Sequence, residues 1–143
     1  MKRFTKIAVG LLALTTAQLS FAATSMWSQA SRAPNVYVAN YTNSSFFTTP
    51  SSVPTRATIT TVSWNIGLYS NGATTQTFSV CYTPQYSSTP SLCLDVSDNL
   101  NGSTNAFIGH NAKGSFRISG ILSGGTYPVY PSHYNRIQVD YQY

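Results

Sequence analysis

The chain has 143 residues and a formal net charge of +5, from eight Lys and Arg against three Asp, with no Glu. Only 8% of its residues are charged, whereas 13% are aromatic and ten are Tyr. So few carboxylates argue against a paired-carboxylate glycosidase, and two His with three scattered Asp make a poor metal-binding set.

Met1–Ala22, MKRFTKIAVGLLALTTAQLSFA, has the parts of a secretory leader. Lys2, Arg3 and Lys6 form a cationic head, Ile7 to Leu14 an apolar run, and Ser20 and Ala22 the small residues before a cut. The expected mature chain begins at Ala23. The apolar run is shorter than the ~20 residues that span a bilayer. No later stretch approaches that length, so no integral membrane segment is expected in the mature chain. The alternative for this stretch is an amphipathic surface helix. Cleavage removes three cations. Arg32, Arg56, Lys113, Arg117 and Arg136 then face Asp95, Asp98 and Asp140, which leaves +2. Only Lys113 and Arg117 lie near each other, so no clustered basic face is expected and nucleic acid is not a partner.

Residues 23–143 suit one domain with its own core. They are poor in strong helix formers and rich in β and turn formers. Asn35–Tyr41 sets Val36 and Val38 opposite Tyr37 and reads as a first strand. Thr42–Thr55, rich in Ser, Thr and Pro, reads as a mobile loop. Ala57–Tyr69 is the longest strand candidate, with Val62, Trp64, Ile66 and Leu68 on one face. Asn71-Gly72 suits a tight hairpin turn, with Thr75–Tyr82 as the returning partner. Thr83–Ser91 holds Pro84 and Pro90 and reads as a loop. Leu92–Val96 is the next strand, Ser97–Ser103 a turn, and Ala106–Ile108 a short strand. Ser115–Leu122 alternates Phe116, Ile118 and Gly120 against Arg117 and Ser119. Ser123-Gly124-Gly125 is a turn, and Tyr127–Tyr130 an extended edge that carries Pro128. The last run sets Ile137, Val139, Tyr141 and Tyr143 against Arg136, Gln138, Asp140 and Gln142. The expected fold is all-β: one antiparallel sandwich or barrel-like domain of about seven or eight strands.

Cys81 and Cys93 are the only cysteines, and an even count in an exported chain suggests a disulfide. Cys81 alternates against Phe78, Val80 and Tyr82, and Cys93 against Leu92 and Leu94. A hairpin of these two runs puts both sulfurs on one side of the sheet. Closing that loop contributes about 3 kcal/mol by chain entropy. Two free thiols and a two-Cys metal site are the alternatives, and the metal site lacks companion ligands at zinc spacing.

No residue set stands out as catalytic. His110 in GHNAKG and His133 in PSHYN sit in turn contexts. No nucleophile-elbow sequence supports a Ser-His-Asp arrangement. Asp98 reads as a turn residue bonded to nearby backbone amides. Tyr37, Tyr41, Tyr69, Tyr82, Tyr86, Tyr127, Tyr130 and Tyr134 could line a sugar or protein contact surface. The plainer reading puts most of them at half-buried strand positions. Asn40, Asn43 and Asn101 begin glycosylation sequons, relevant only in a eukaryotic secretory pathway.

The mature start carries Met26-Trp27-Ser28-Gln29-Ala30-Ser31, and a central strand carries Val62-Ser63-Trp64. The two Cys-bearing strands follow. The tail holds Phe116-Arg117-Ile118, Ser123-Gly124-Gly125-Thr126-Tyr127-Pro128 and Asn135-Arg136-Ile137-Gln138-Val139-Asp140-Tyr141. In this order, over most of the mature chain, the sequence resembles the flagellar protein FlhE family. Those are small periplasmic proteins with an early Met-Trp, a Trp-bearing strand, a cysteine pair, a Gly-rich turn and a terminal Val-x-Tyr strand. The resemblance implies a non-enzymatic periplasmic accessory of flagellar assembly, with no cofactor or metal, that keeps the export apparatus from leaking protons. Its partner would be a protein of the flagellar export apparatus or rod. Met26, Trp27 and Arg32 are the candidate contact residues, since an aromatic and an Arg near a mobile terminus make good anchors. The competing role for Trp27 is packing onto the sandwich.

Two other readings compete. A fimbrial or other surface subunit would use the alternating tail as a strand paired with a chaperone or neighbour. A secreted sugar-binding sandwich would use the tyrosines. The leader reading is checked by N-terminal sequencing of the exported protein. A first residue of Ala23 is expected, and an exported chain that still begins at Met1 refutes the leader.

Overall fold

The computed structural model describes residues 22–143, so all of the expected leader but Ala22 lies outside the described residues. Eight strands are present: β1 Thr24–Ser31, β2 Thr42–Phe47, β3 Thr58–Asn65, β4 Thr75–Thr83, β5 Leu92–Asp95, β6 Asn101–Thr104, β7 Ser115–Ser123 and β8 Asn135–Gln142. They form two four-stranded antiparallel sheets, ordered β1-β8-β3-β6 and β2-β7-β4-β5. The two sheets pack face to face as a sandwich rather than closing into a barrel. No α-helix occurs among the described residues.

Period-two alternation makes the core. Ile137, Val139 and Tyr141 of β8 face inward beside Val62 and Trp64 of β3. Phe78, Val80 and Tyr82 of β4 and Phe116, Ile118 and Leu122 of β7 face them from the other sheet. Tyr82, Phe107 and Phe116 pack as tilted and edge-on rings with centroids 5.4–6.3 Å apart, the arrangement that ring quadrupoles favour. Gly114 lets that cluster close, because a Cβ there would lie 2.2 Å from the Tyr82 ring. In β3 the alternation changes parity at a bulge between Ile59 and Thr61. The extra residue there lets Ile59 and Val62 both point inward.

β8 lies between β1 and β3 and is paired along nearly its whole length on both sides. β1 joins the ends of the described chain: Thr24 pairs with Gln142, and Ala23 N donates to Tyr143 O at 3.0 Å. The strand hairpin of β4 and β5 sets Cys81 opposite Cys93, and the two are disulfide-bonded.

Several segments differ from the sequence expectation. Asn35–Tyr41 is not a strand. Val36 makes one isolated bridge with Val129, and Asn40 turns the chain at φ 61°. Thr42–Thr55 is not one mobile loop: its first six residues are β2, and Phe47 and Val53 are buried. Asn71-Gly72 does not close a hairpin. β3 and β4 belong to different sheets, so this connection crosses from one to the other. The last three residues of Ser97–Ser103, expected as a turn, belong to β6, which pairs with β3, while Ala106–Ile108, expected as a short strand, is a turn. β1, in a stretch read as a mobile terminus, is a regular edge strand.

Asn135 is buried where β8 begins. Its Oδ1 accepts from Gly67 N at 2.9 Å, and its Nδ2 donates to Ser45 Oγ at 3.0 Å. Ser45 Oγ in turn donates to Arg32 O at 3.3 Å. Both side chains are nearly inaccessible, at 4% and 2%. Asn135→Ala strips partners from a buried N–H and a buried hydroxyl, so a loss of about 2–3 kcal/mol is expected in urea unfolding. A loss below about 0.5 kcal/mol, within the scatter of surface substitutions, would show that the network is not holding the sheets together.

Candidate functional site, an aromatic end face

Three of the connections that cross between the sheets gather at one end of the sandwich: residues 32–41, 66–74 and 124–134. They are knitted together by backbone bonds. Val36 and Val129 exchange both N–H···O bonds, at 2.9 and 3.0 Å, and Ser132 N donates to Leu68 O at 2.9 Å. Side chains add to this. Tyr69 OH donates to Pro34 O at 2.5 Å, Asn71 Oδ1 accepts from Tyr130 N at 3.0 Å, and Gln76 Oε1 accepts from Tyr69 N at 3.0 Å. Gly124 and Gly125, at φ 66° and 75°, let residues 124–134 turn back. A Cβ on Gly125 would overlap Gly72 O.

This scaffold holds two adjoining recesses. The larger, about 730 Å³, is lined by Arg32, Ala33, Asn35, Tyr130, Pro131, His133 and Tyr134. The smaller, about 460 Å³, is lined by Asn35, Val36, Tyr37, Val38, Tyr41 and Asn43. Asn35 is common to both. Tyr37, Val38, Tyr41 and Tyr134 are each more than 60% exposed. Large apolar side chains clustered on a surface mark contact sites more often than scattered ones do.

The tyrosines therefore divide by position. Tyr69, Tyr82 and Tyr141 are core residues, and Tyr86, Tyr130 and Tyr143 are exposed. Most are not at half-buried strand positions, because the connections carry them. No single stretch of sequence signals the end face, since three separated connections contribute to it.

The candidate contact residues do not come together. Trp27 is only 5% exposed and packs near Phe116, with ring centroids 6.3 Å apart, which is the packing role set beside the anchor role above. Its Nε1 is buried without a hydrogen-bond partner. Met26 points the other way, 58% exposed, in a separate recess with Asp140 and Tyr141. Arg32 alone lines the aromatic end face. It lies six residues along the chain from Met26, ~20 Å in an extended strand.

The remaining polar groups are dispersed. His133 Nδ1 lies 2.9 Å from Tyr134 O. A carbonyl only accepts, so Nδ1 carries the proton and Nε2 is the open ring nitrogen. His110 sits against the Tyr82 ring at 4.9 Å. Asp95, rather than Asp98, holds a turn. Its Oδ1 accepts from Ser97 N at 2.9 Å and Ser97 Oγ at 2.5 Å, and these bonds hold its carboxyl below the usual range. Among the described residues no three His, Cys, Asp or Glu gather to hold a metal, and no helix is long and apolar enough to cross a membrane.

A crystal structure of FlhE is similar in fold. It superposes with a TM-score of 0.67 at 20% identity, over 84% of this chain and 98% of the FlhE chain. A structure of desmodium yellow mottle tymovirus aligns with a TM-score of 0.38 at 9% identity, over 94% of this chain and 93% of that chain. No family model matches the sequence, and no curated protein matches it.

Tyr69 anchors the end face from below, and burial pushes its hydroxyl from 10.0 up to about 12. The folded state then keeps a proton that the unfolded state releases. Stability from this group is complete below pH 10 and is lost as pH rises toward about 12. Tyr69→Phe is expected to cost about 1 kcal/mol at neutral pH through the lost bond to Pro34, and to flatten the alkaline loss. Urea unfolding at stepped alkaline pH checks this, and an unchanged slope in the variant would assign the loss to another group.

Proposed function

We propose that this chain is an exported, non-enzymatic accessory of flagellar assembly that works in the periplasm by binding another protein. The observation that carries the reading is the FlhE-like fold, which spans almost all of the FlhE chain. The sequence resemblance supports it independently, because it rests on short motifs from both ends of the chain. The cysteine pair, joined across β4 and β5, fits an oxidising compartment. An end face of exposed tyrosines beside Arg32 offers the residue types that dominate protein contacts.

The fimbrial reading is weaker on physical grounds. β8 is hydrogen-bonded to β1 on one edge and to β3 on the other. A strand paired on both edges has no free ladder to offer a chaperone or a neighbouring subunit. The sugar-binding reading keeps the exposed tyrosines in its favour, since aromatic faces also stack on pyranose rings.

Deleting the gene in its host is expected to shrink the swimming halo several-fold, with rescue by the wild-type chain. A triple variant, Tyr37→Ala with Tyr130→Ala and Tyr134→Ala, should be exported and folded yet fail to rescue. Undiminished motility in the deletion strain would refute the flagellar role. Full rescue by the triple variant would refute the end face as its working surface.

A further inference from the structure

We propose that the two recesses of the end face together bind an extended peptide that carries an acidic residue a few positions from an aliphatic or aromatic one. This deepens the protein-contact reading above and rests on it.

Charge comes first. Arg32 and His133 line the larger recess, and no carboxylate does. Asp95 and Asp98 belong to a different recess beside Trp64, and Asp140 to the one beside Met26. A guanidinium with no acidic neighbour on the wall is complementary to a guest carboxylate, which it can hold through two parallel N–H···O bonds. Tyr130 and Tyr134 flank it with hydroxyls and ring faces.

The cation is also held ready. Ser45 bonds the Arg32 carbonyl, and buried Asn135 holds Ser45. The backbone of Arg32 is thus fixed while its side chain reaches solvent. The backbone of His133 packs so closely on Gly67 that a Cβ there would lie 2.3 Å from His133 O. With Nδ1 engaged by Tyr134 O, the open Nε2 can accept an N–H from the guest. Groups fixed in advance spare much of the ordering cost of binding.

The smaller recess selects the second guest residue. Its walls are Val36, Val38 and the rings of Tyr37 and Tyr41, with Asn35, Asn43 and the two phenol hydroxyls as polar groups. Two valines and two ring faces give an apolar guest side chain contact over most of the recess, whereas a sugar ring would have only two amides and two phenol hydroxyls for all of its hydroxyls. Both recesses fall within the ~300–1,000 Å³ of ordinary ligand sites. Asn35, on the wall of both, lets one extended guest occupy the pair.

The test uses the mature, disulfide-bonded chain as bait for a random peptide library displayed on phage. Recovered peptides should be enriched in Asp or Glu close to Leu, Ile, Val or Phe. A labelled synthetic copy of the recovered sequence, followed by fluorescence anisotropy, should bind about tenfold more weakly to Arg32→Gln, and a guest Asp→Asn or Glu→Gln should weaken it by as much. Combining the two changes should cost little more than either alone. Tyr134→Ala should weaken binding too. Both protein positions are exposed, and an unchanged melting temperature confirms that the variants fold. No recovered peptide, no acidic enrichment, or indifference to Arg32→Gln each overturns the proposal. So does Arg32-dependent capture of polygalacturonate in place of any peptide. Motility reads out the broader reading separately: failed rescue by the tyrosine triple variant alongside Arg32-indifferent peptides would leave protein contact standing without this guest chemistry.

Discussion

One buried amide ties this molecule together. Asn135 sits at the start of β8, yet its side chain reaches a connection through Gly67 N and the opposite sheet through Ser45. Apolar packing between two sheets is non-directional, and it tolerates sliding and rotation. A satisfied polar pair in the interior fixes one alignment, because any shift leaves a donor stranded. The chain places this pair at the end where three connections cross, and through Ser45 it also fixes the backbone at Arg32. The geometry of the end face is inherited from the core beneath it.

The two ends of the sandwich are built differently. At the aromatic end residues 32–41, 66–74 and 124–134 each leave one sheet and enter the other, and they bond to one another as well as to the strands. Tyr69, Asn71 and Gln76 supply side-chain bonds that substitute for a regular ladder. Residues on such a rigid framework can be large, apolar and exposed without collapsing onto the core. That is the usual division of labour in β proteins, where a scaffold positions loops that carry the work.

Strong alternation was readable from the sequence, and weak alternation was not. β4, β7 and β8 stand out because β-branched and aromatic residues recur at every second position. The cross-strand cysteines followed from the same parity. β1, β2 and β6 were hidden for a physical reason. They are edge strands rich in Thr, Ser and Asn, and each has few buried side chains to mark a period: Trp27 in β1, Ser45 and Phe47 in β2, and none in β6. The bulge in β3 shifts parity, so Ile59 fell outside the face that includes Val62 and Trp64. Asn71-Gly72 has the chemistry of a tight hairpin, but sheet pairing outweighed the local turn preference. The tyrosines were visible as a count, and only the three-dimensional convergence of residues 32–41 and 124–134 set Tyr130 and Tyr134 beside Arg32 and Tyr37 and Tyr41 in the adjoining recess. Trp27 shows the limit of reading a terminus as mobile: a strand ladder with β8 carries it into the core.

The pairing of β1 with β8 has a consequence for the order of assembly. A chain that emerges from its N-terminus first, from a ribosome or through a membrane pore, presents β1 long before its partner exists. Each residue of that strand must wait for one more than a hundred positions away, as Thr24 waits for Gln142. β3 waits for β8 as well, so half of the sandwich has no centre until the last residues are free. Contacts this distant make folding slow and nearly all-or-none. The strand order thereby leaves β1 and β3 without their shared neighbour until β8 has emerged, and the end face, which needs residues 124–134 beside 32–41, forms no sooner.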